Sequence, residues 1–295
     1  MLKKYYFKFR KHLQNDIKQI VRSELVINTI RQKALSNKEA LISNEIRKEK
    51  IIVSLTTHGI RINSVYLAIE SIALQTLKPN EVVLWLSEAE FNNNNLPITL
   101  NRLIDRGLIV KFCKDVGPHT KLIYALKEYS NDIIITIDDD IIYPPDLIEN
   151  LYTIYKANLN CICCNGAQMI TYQKNKNHFE KYNNWPYVFD KYNKSKYLLP
   201  LGVHGILYPP NSLDKEVFNE DVFKIVCPKS DDIWFKAMAL KQGTETVVTG
   251  KYPFLFSSFI PLDSSYIDAL ANLNILKGEN LKQITLTFKK YNINL

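Results

Sequence analysis

Four short runs that are apolar for most of their length, IIVSLTT (51–57), EVVLWLS (81–87), LIVKFC (108–113) and DIIITI (132–137), are separated by three amphipathic stretches. A strand that is apolar along its whole length, rather than at every second residue, is covered on both faces. The intervening VYLAIESIALQTL, ITLNRLIDRG and KLIYALKEY read as the helices that cover it. Asn63 or Ser64 is placed to cap the first helix, and Gly107 closes the second. A β-α-β-α-β-α-β order with such short connections predicts an α/β fold, a mostly parallel sheet flanked by helices. Ligands of such sheets bind beyond the carboxyl ends of the strands. The segments expected there are TTHGIRI, SEAEF, KDVGPHTK and DDD.

The fourth run ends in Asp138, Asp139 and Asp140. Adjacent carboxylates repel one another, and one stays protonated unless positive charge arrives. Hard oxygen ligands suit Mg²⁺ or Mn²⁺, and an ion held by two carboxylates keeps positions open for phosphates. In extended geometry Asp138 and Asp140 point one way and Asp139 the other. Asp138 and Asp140 then converge on one ion, or one holds the ion and the other a ribose. A solvated acidic turn is the plainer alternative. The buried approach, at the edge where such sheets bind ligands, favours the cation.

Beyond Asp140, PPDLIENLYTIYKA reads as a helix, CICCNGAQMITY as a strand and SDDIWFKAMALKQG as a capped helix. Residues 172–197 hold six lysines, two acidic residues and eight aromatics without a regular period. That is a surface excursion, and long loops of this kind are often functional. At the other end, residues 1–48 read as one helix, with Leu2, Tyr6, Phe9, Leu13, Ile17, Ile20, Glu24 and Ile27 on one face, apolar except at Glu24. Residues 1–50 carry 13 Lys and Arg against 5 Asp and Glu, and the remainder carries 25 of each, so the net charge of +8 is confined to this segment. The body is therefore no basic nucleic-acid surface. The helix either packs on the body or lies, over residues 1–30, on an anionic membrane.

No apolar run reaches the roughly 18 residues of a membrane span, and the N-terminus lacks the apolar core of a secretory signal. The expected location is cytoplasmic, and peripheral on the inner membrane face where the N-terminal helix takes the second of those two courses. Cys113, Cys161, Cys163, Cys164 and Cys227 have neither a disulfide framework nor zinc spacing, and read as buried thiols.

The segments IIVSLTTHGIRINSVYLAIESIALQTLKPNEVVLWLS and IIITIDDDIIYPPDLIENL resemble the nucleotide-binding half of GT-A glycosyltransferases, nearest the family-2-like bacterial enzymes. The resemblance covers about residues 50–150, with GILYPP and SDDIWFKAMAL supporting it further on. It implies a GT-A (Rossmann-like) fold: a helical extension over 1–48, a nucleotide-sugar-binding half over 49–150 and an acceptor-binding half over 151–295. It implies sugar transfer from a nucleotide-diphosphate donor, a UDP-sugar being expected, with Mn²⁺ or Mg²⁺. Asp138 would sit near the ribose and Asp140 would ligate the metal. Thr56 and Thr57 would line the nucleoside, Arg61 would reach the base or a phosphate, and Lys121 would hold a phosphate or the sugar. Many relatives carry an acidic pair and Gly-Ser after the second strand; here WLSEAEF stands there, with Ser87 or Glu88 as the substitute.

An acidic general base is implied near SDDIW, which makes Asp231 and Asp232 the catalytic candidates, one of them also a helix cap. His204, between glycines, is a candidate third metal ligand or acceptor contact, and His58 and His119 have similar standing. Trp185, Trp234 and nearby tyrosines are placed to stack on an acceptor sugar, although core packing is the better expectation for Trp234. Three activities fit this frame. The first is an inverting, metal-dependent glycosyltransferase acting on a glycan or glycolipid, in surface polysaccharide or lipooligosaccharide synthesis. A sugar nucleotidyltransferase would want a glycine-rich basic loop where TTHGIRI has one glycine. A non-catalytic carbohydrate-binding scaffold would have no need of DDD and SDD.

Overall fold

The computed structural model describes residues 2–173, 178–190, 192–252, 258–266 and 278–295. The chain divides into two units, Met1–Lys38 and Glu39–Leu295. The first is the helix α1 (Leu2–Ser36). The helix expected over 1–48 thus stops at Ser36. Farther on, backbone donors find partners other than the i−4 carbonyl. Leu41 N–H donates to the Arg106 carbonyl at 2.9 Å and Ser43 N–H to the Pro79 carbonyl at 2.7 Å.

The second unit follows the expected alternation: β1 (Ile51–Thr56), α2 (Val65–Ala73), β2 (Glu81–Ser87), α3 (Ile98–Ile104), β3 (Leu108–Cys113), α4 (Thr120–Glu128) and β4 (Ile133–Thr136). Asn63 and Ser64 do not cap α2; they donate to the Ile60 and Arg61 carbonyls, at 3.2 and 3.1 Å, and close the turn before it. Next come β5 (Ile141–Ile142), α5 (Leu147–Ala157), β6 (Ile162–Cys164), β7 (Ala167–Met169), β8 (Tyr187–Val188), β9 (Tyr192–Ser195), β10 (Leu198–Pro200) and β11 (Ile206–Tyr208). The described chain closes with α6 (Glu220–Val226), α7 (Asp231–Gln242), β12 (Thr246–Val248), β13 (Ile260–Pro261) and α8 (Glu279–Lys290).

The main sheet has the order β3-β2-β1-β4-β11-β6-β12-β9. All of its strands run in one direction except β11 and β9. Alternate residues supply the two faces. Ile51, Val53, Leu55, Ile133 and Ile135 pack with Ile69, Ile72 and Leu151 of α2 and α5. Ile52, Val83, Trp85 and Ile134 pack with Leu122 and Ile123 of α4 and with Ile233 and Met238 of α7. CICCNGAQMITY breaks into two strands in different sheets, because β7 leaves to pair with β10 and β8. The break falls at buried Asn165, whose Nδ2 donates to the His204 carbonyl at 2.9 Å and whose Oδ1 accepts from Thr249 at 2.9 Å. All five cysteines are buried and unbridged.

The reversed strand β11 is what positions the site. Ile206 lies opposite Thr136 in β4 and opposite Cys164 in β6. The chain therefore enters β11 at the edge where β4 ends, which brings Gly202–His204 beside the aspartate triplet.

Candidate active site

Ladder pairing of β4 stops at Thr136, and Asp139 and Asp140 lie in a turn. The alternation expected for the triplet consequently fails. Asp139 and Asp140 share one cation, Arg61: its guanidinium is 3.1 Å from Asp139 Oδ1 and also pairs with Asp140. Thr57 Oγ1 donates to Asp139 Oδ2 at 2.5 Å. Asp138 turns elsewhere. Its Oδ1 accepts from Lys121 Nζ at 2.7 Å, and its backbone N–H donates to the Tyr143 hydroxyl at 2.8 Å.

Lys121 joins this cluster to the second acidic pair. It lies in the first turn of α4, 7% exposed, and its Nζ is also 3.1 Å from Asp231 Oδ2. Burial opposes its charge, but Asp138, Asp231 and Asp232 outweigh it and hold the ammonium well above its ordinary value. Asp232 Oδ2 accepts from the Gly202 N–H at 2.9 Å. A Cβ at Gly202 would stand 2.8 Å from Asp232 Oδ1 and 3.3 Å from Lys121 Nζ, so only glycine lets the backbone come this close.

Five carboxylates, Asp138, Asp139, Asp140, Asp231 and Asp232, thus surround two cations, Arg61 and Lys121. Their titration reflects the imbalance. Burial, then Asp138 and Asp139, push Asp140 up to about 7. Burial and then Asp231 push Asp232 up to about 8. Asp139 and Asp231 are also raised, by burial first, against the pull of Arg61 and Lys121 respectively.

The other candidates fare unevenly. Thr56 Oγ1 is taken up by the sheet, donating to the Trp85 carbonyl at 2.9 Å. Glu88 is exposed, and it is Glu90 that accepts from the Gly59 N–H, at 3.1 Å, in the loop carrying Arg61. His58 is exposed. His119 is fully buried, stacks on Phe223 at 4.4 Å and is pushed down to about 3, chiefly by burial. Trp185 and Trp234 are core residues, 1% and 0% exposed. Ser230 does not cap α7; its hydroxyl donates to Asn280.

His204 packs edge-on against Phe189 and Phe259, and burial lowers its pKa to about 4 although Asp138 pulls it upward. Among the described residues no three His, Cys, Asp or Glu side chains gather as a metal cluster, so His204 does not join Asp138 and Asp140 as one. Sequence reasoning missed Tyr143 and Gly202. Tyr143 stands five residues after Asp138 and was legible only as a polar tip in an apolar run. Gly202 has a role only through contacts made 30 residues away.

The fold is that of GT-A glycosyltransferases. The mannosyltransferase PcManGT from Pyrobaculum calidifontis, solved with GDP-Man and Mn²⁺, superposes with a TM-score of 0.50 at 12% identity, over 94% of this chain and 74% of its own. TarS from S. aureus, solved with UDP, superposes with a TM-score of 0.44 at 12% identity, over 68% of this chain and 58% of its own. No curated protein matches the sequence. The model of glycosyl transferase family 2 matches residues 61–220, which takes in Arg61, Lys121, the aspartate triplet and Gly202 but stops short of Asp231 and Asp232. With more than half of the chain matched, this protein belongs to glycosyl transferase family 2, and it is a glycosyltransferase.

Proposed function

We propose that the enzyme moves a sugar from a nucleotide-diphosphate donor, a UDP-sugar first among them, to a hydroxyl of a glycan or lipid-linked acceptor. The observation that carries this reading is the surplus of five buried or half-buried carboxylates over two cations. Asp138 and Asp140 offer hard oxygen atoms suited to Mn²⁺ or Mg²⁺, and their mutual repulsion is what such an ion would relieve once they turned toward it. PcManGT, of the same fold, was solved with GDP-Man and Mn²⁺, the combination that such a cluster suits. The cation, when bound, offsets the charge of the leaving diphosphate.

The chain's own groups do the rest. Arg61, half-buried, and Lys121, buried, are the cations that would meet phosphate oxygens. Thr57 fixes Asp139, and Asp139 in turn orients Arg61. Asp232 is the general base. It is less buried than Asp231, is held by the Gly202 amide and accepts a proton near neutral pH. Asp231 keeps Lys121 in place. The acceptor oxygen attacks the anomeric carbon as Asp232 takes its proton, and the bond to the diphosphate breaks. One displacement inverts the configuration, which NMR of the product's anomeric proton reads directly.

The exposed apolar stripe of α1 supports attachment to an anionic membrane and thus a role in surface polysaccharide or lipooligosaccharide synthesis. Leu13, Ile17, Ile20, Val21 and Leu25 are 48–64% exposed, and Lys18 and Arg22 lie among them. No helix among the described residues is long and apolar enough to cross a membrane.

Thermal melting with UDP, GDP, CDP and CMP, each with and without Mn²⁺, tests the donor site on wild type and Asp140→Ala. A nucleotide at 100 times its dissociation constant adds about 2.7 kcal/mol. The expected result is a shift for one nucleoside diphosphate that needs Mn²⁺ and is lost in the variant. No shift with any of them removes the metal–diphosphate reading.

A further inference from the structure

The transfer chemistry leaves an aromatic surface beside the site without a task. β8 is the edge strand of the small sheet β10-β7-β8. Tyr187 begins it and Phe189 follows it, two residues on, so both rings leave the same face. They stack, with centroids 5.6 Å apart and planes 21° apart. Tyr187 is 55% exposed, in contrast to its neighbour Trp185 at 1%. Inward, Phe189 meets His204 edge-on at 6.1 Å, and His204 meets Phe259 at 5.1 Å. His204 lies two residues from Gly202, whose amide holds Asp232. Phe259 in turn meets Tyr143 edge-on at 5.9 Å, and the Tyr143 hydroxyl accepts from the Asp138 N–H, so a line of rings runs from solvent to the aspartate triplet.

We propose that Tyr187 and Phe189 form the platform on which a sugar ring of the acceptor lies. That the sugar belongs to an acceptor rests on the transfer reading above; the sugar-binding surface does not. A pyranose presents C–H bonds on one face and hydroxyls around its edge. The π-face of tyrosine carries negative charge that attracts such C–H groups. The exposed tyrosine hydroxyl leaves room at the ring's edge for those hydroxyls. The adjacent tryptophan is no alternative, because its Nε1 donates to the Glu180 carbonyl at 3.0 Å and its ring is enclosed.

Saturation-transfer NMR tests this on the full chain, with methyl glycosides of glucose, galactose, mannose and N-acetylglucosamine as the probes. The expected result is transfer to ring C–H protons of at least one glycoside in wild type and in Tyr187→Phe. In Tyr187→Ala, which melts as wild type does because the side chain is exposed, binding weakens about tenfold. The signal is also expected without nucleotide or Mn²⁺ and in Asp232→Asn. No transfer to any glycoside, or equal transfer in Tyr187→Ala, overturns the platform. Transfer in wild type alongside a failed nucleotide-melting experiment keeps the platform and removes the donor reading instead.

Discussion

Lys121 is one ammonium among three carboxylates, and its removal leaves Asp138, Asp231 and Asp232 without a near cation. Unpaired buried charge is the costly state. Urea unfolding of Lys121→Met at pH 8 is expected to show a loss of about 3 kcal/mol. The loss shrinks at pH 5, where the stranded aspartates take up protons. Asp232 carries a prediction of its own. Its carboxyl is pushed up to about 8, and a base works deprotonated, so kcat/KM climbs with pH and levels off above about 8. Asp232→Asn is expected to lower transfer by about a hundredfold or more, with nucleotide melting shifts unchanged. A flat pH profile, or an active Asn variant, moves the base to Asp231. At this scale the residue types were legible in DDD, SDD and GPHTK, because like charges at strand and helix ends need an explanation. Which aspartate meets which cation was not, since the triplet leaves extended geometry after Thr136.

Among the elements, the packing of α4 on α6 and α7 turns on His119, which stacks on Phe223 and meets Phe235 edge-on. Its pKa is pushed down to about 3 in the fold, against an ordinary value of 6.5. The folded state therefore resists a proton that the unfolded chain accepts. Stability is complete above pH 6.5 and declines as the pH falls below it. Relative to His119→Phe, wild type is expected to lose about 2 kcal/mol between pH 8 and pH 5, measured by urea unfolding at both values. Equal losses would mean that His119 is protonated in the fold. The period of apolar residues foretold the elements from β1 to β4, and the long helix at the N-terminus. It did not foretell that CICCNGAQMITY divides between two sheets. That break depends on Asn165 finding His204 and Thr249, both distant in sequence.

For the whole molecule, charge is the organising variable, because the net +8 lies within residues 1–50. If α1 binds membrane, the protein is expected to sediment with vesicles of anionic phospholipid at low salt and not with neutral ones. Binding should fall as salt rises, since the Debye length shortens from about 10 Å at 0.1 M to about 3 Å at 1 M. Ile17→Glu with Ile20→Glu should abolish it with the nucleotide response intact; retention by the double variant would place the contact elsewhere. The sequence by itself determined the sheet, its covering helices and the carboxylate-rich edge. Those follow from local patterning and from repulsion between neighbours in the chain. Only the tertiary structure decided that Lys121 bridges the two acidic pairs, that Gly202 lies against Asp232, and that Tyr187 rather than Trp185 faces solvent. The first depends on α4 and α7 sharing one face of the main sheet, and the other two on the reversed strand β11 and the small sheet, whose long-range pairing no local period encodes.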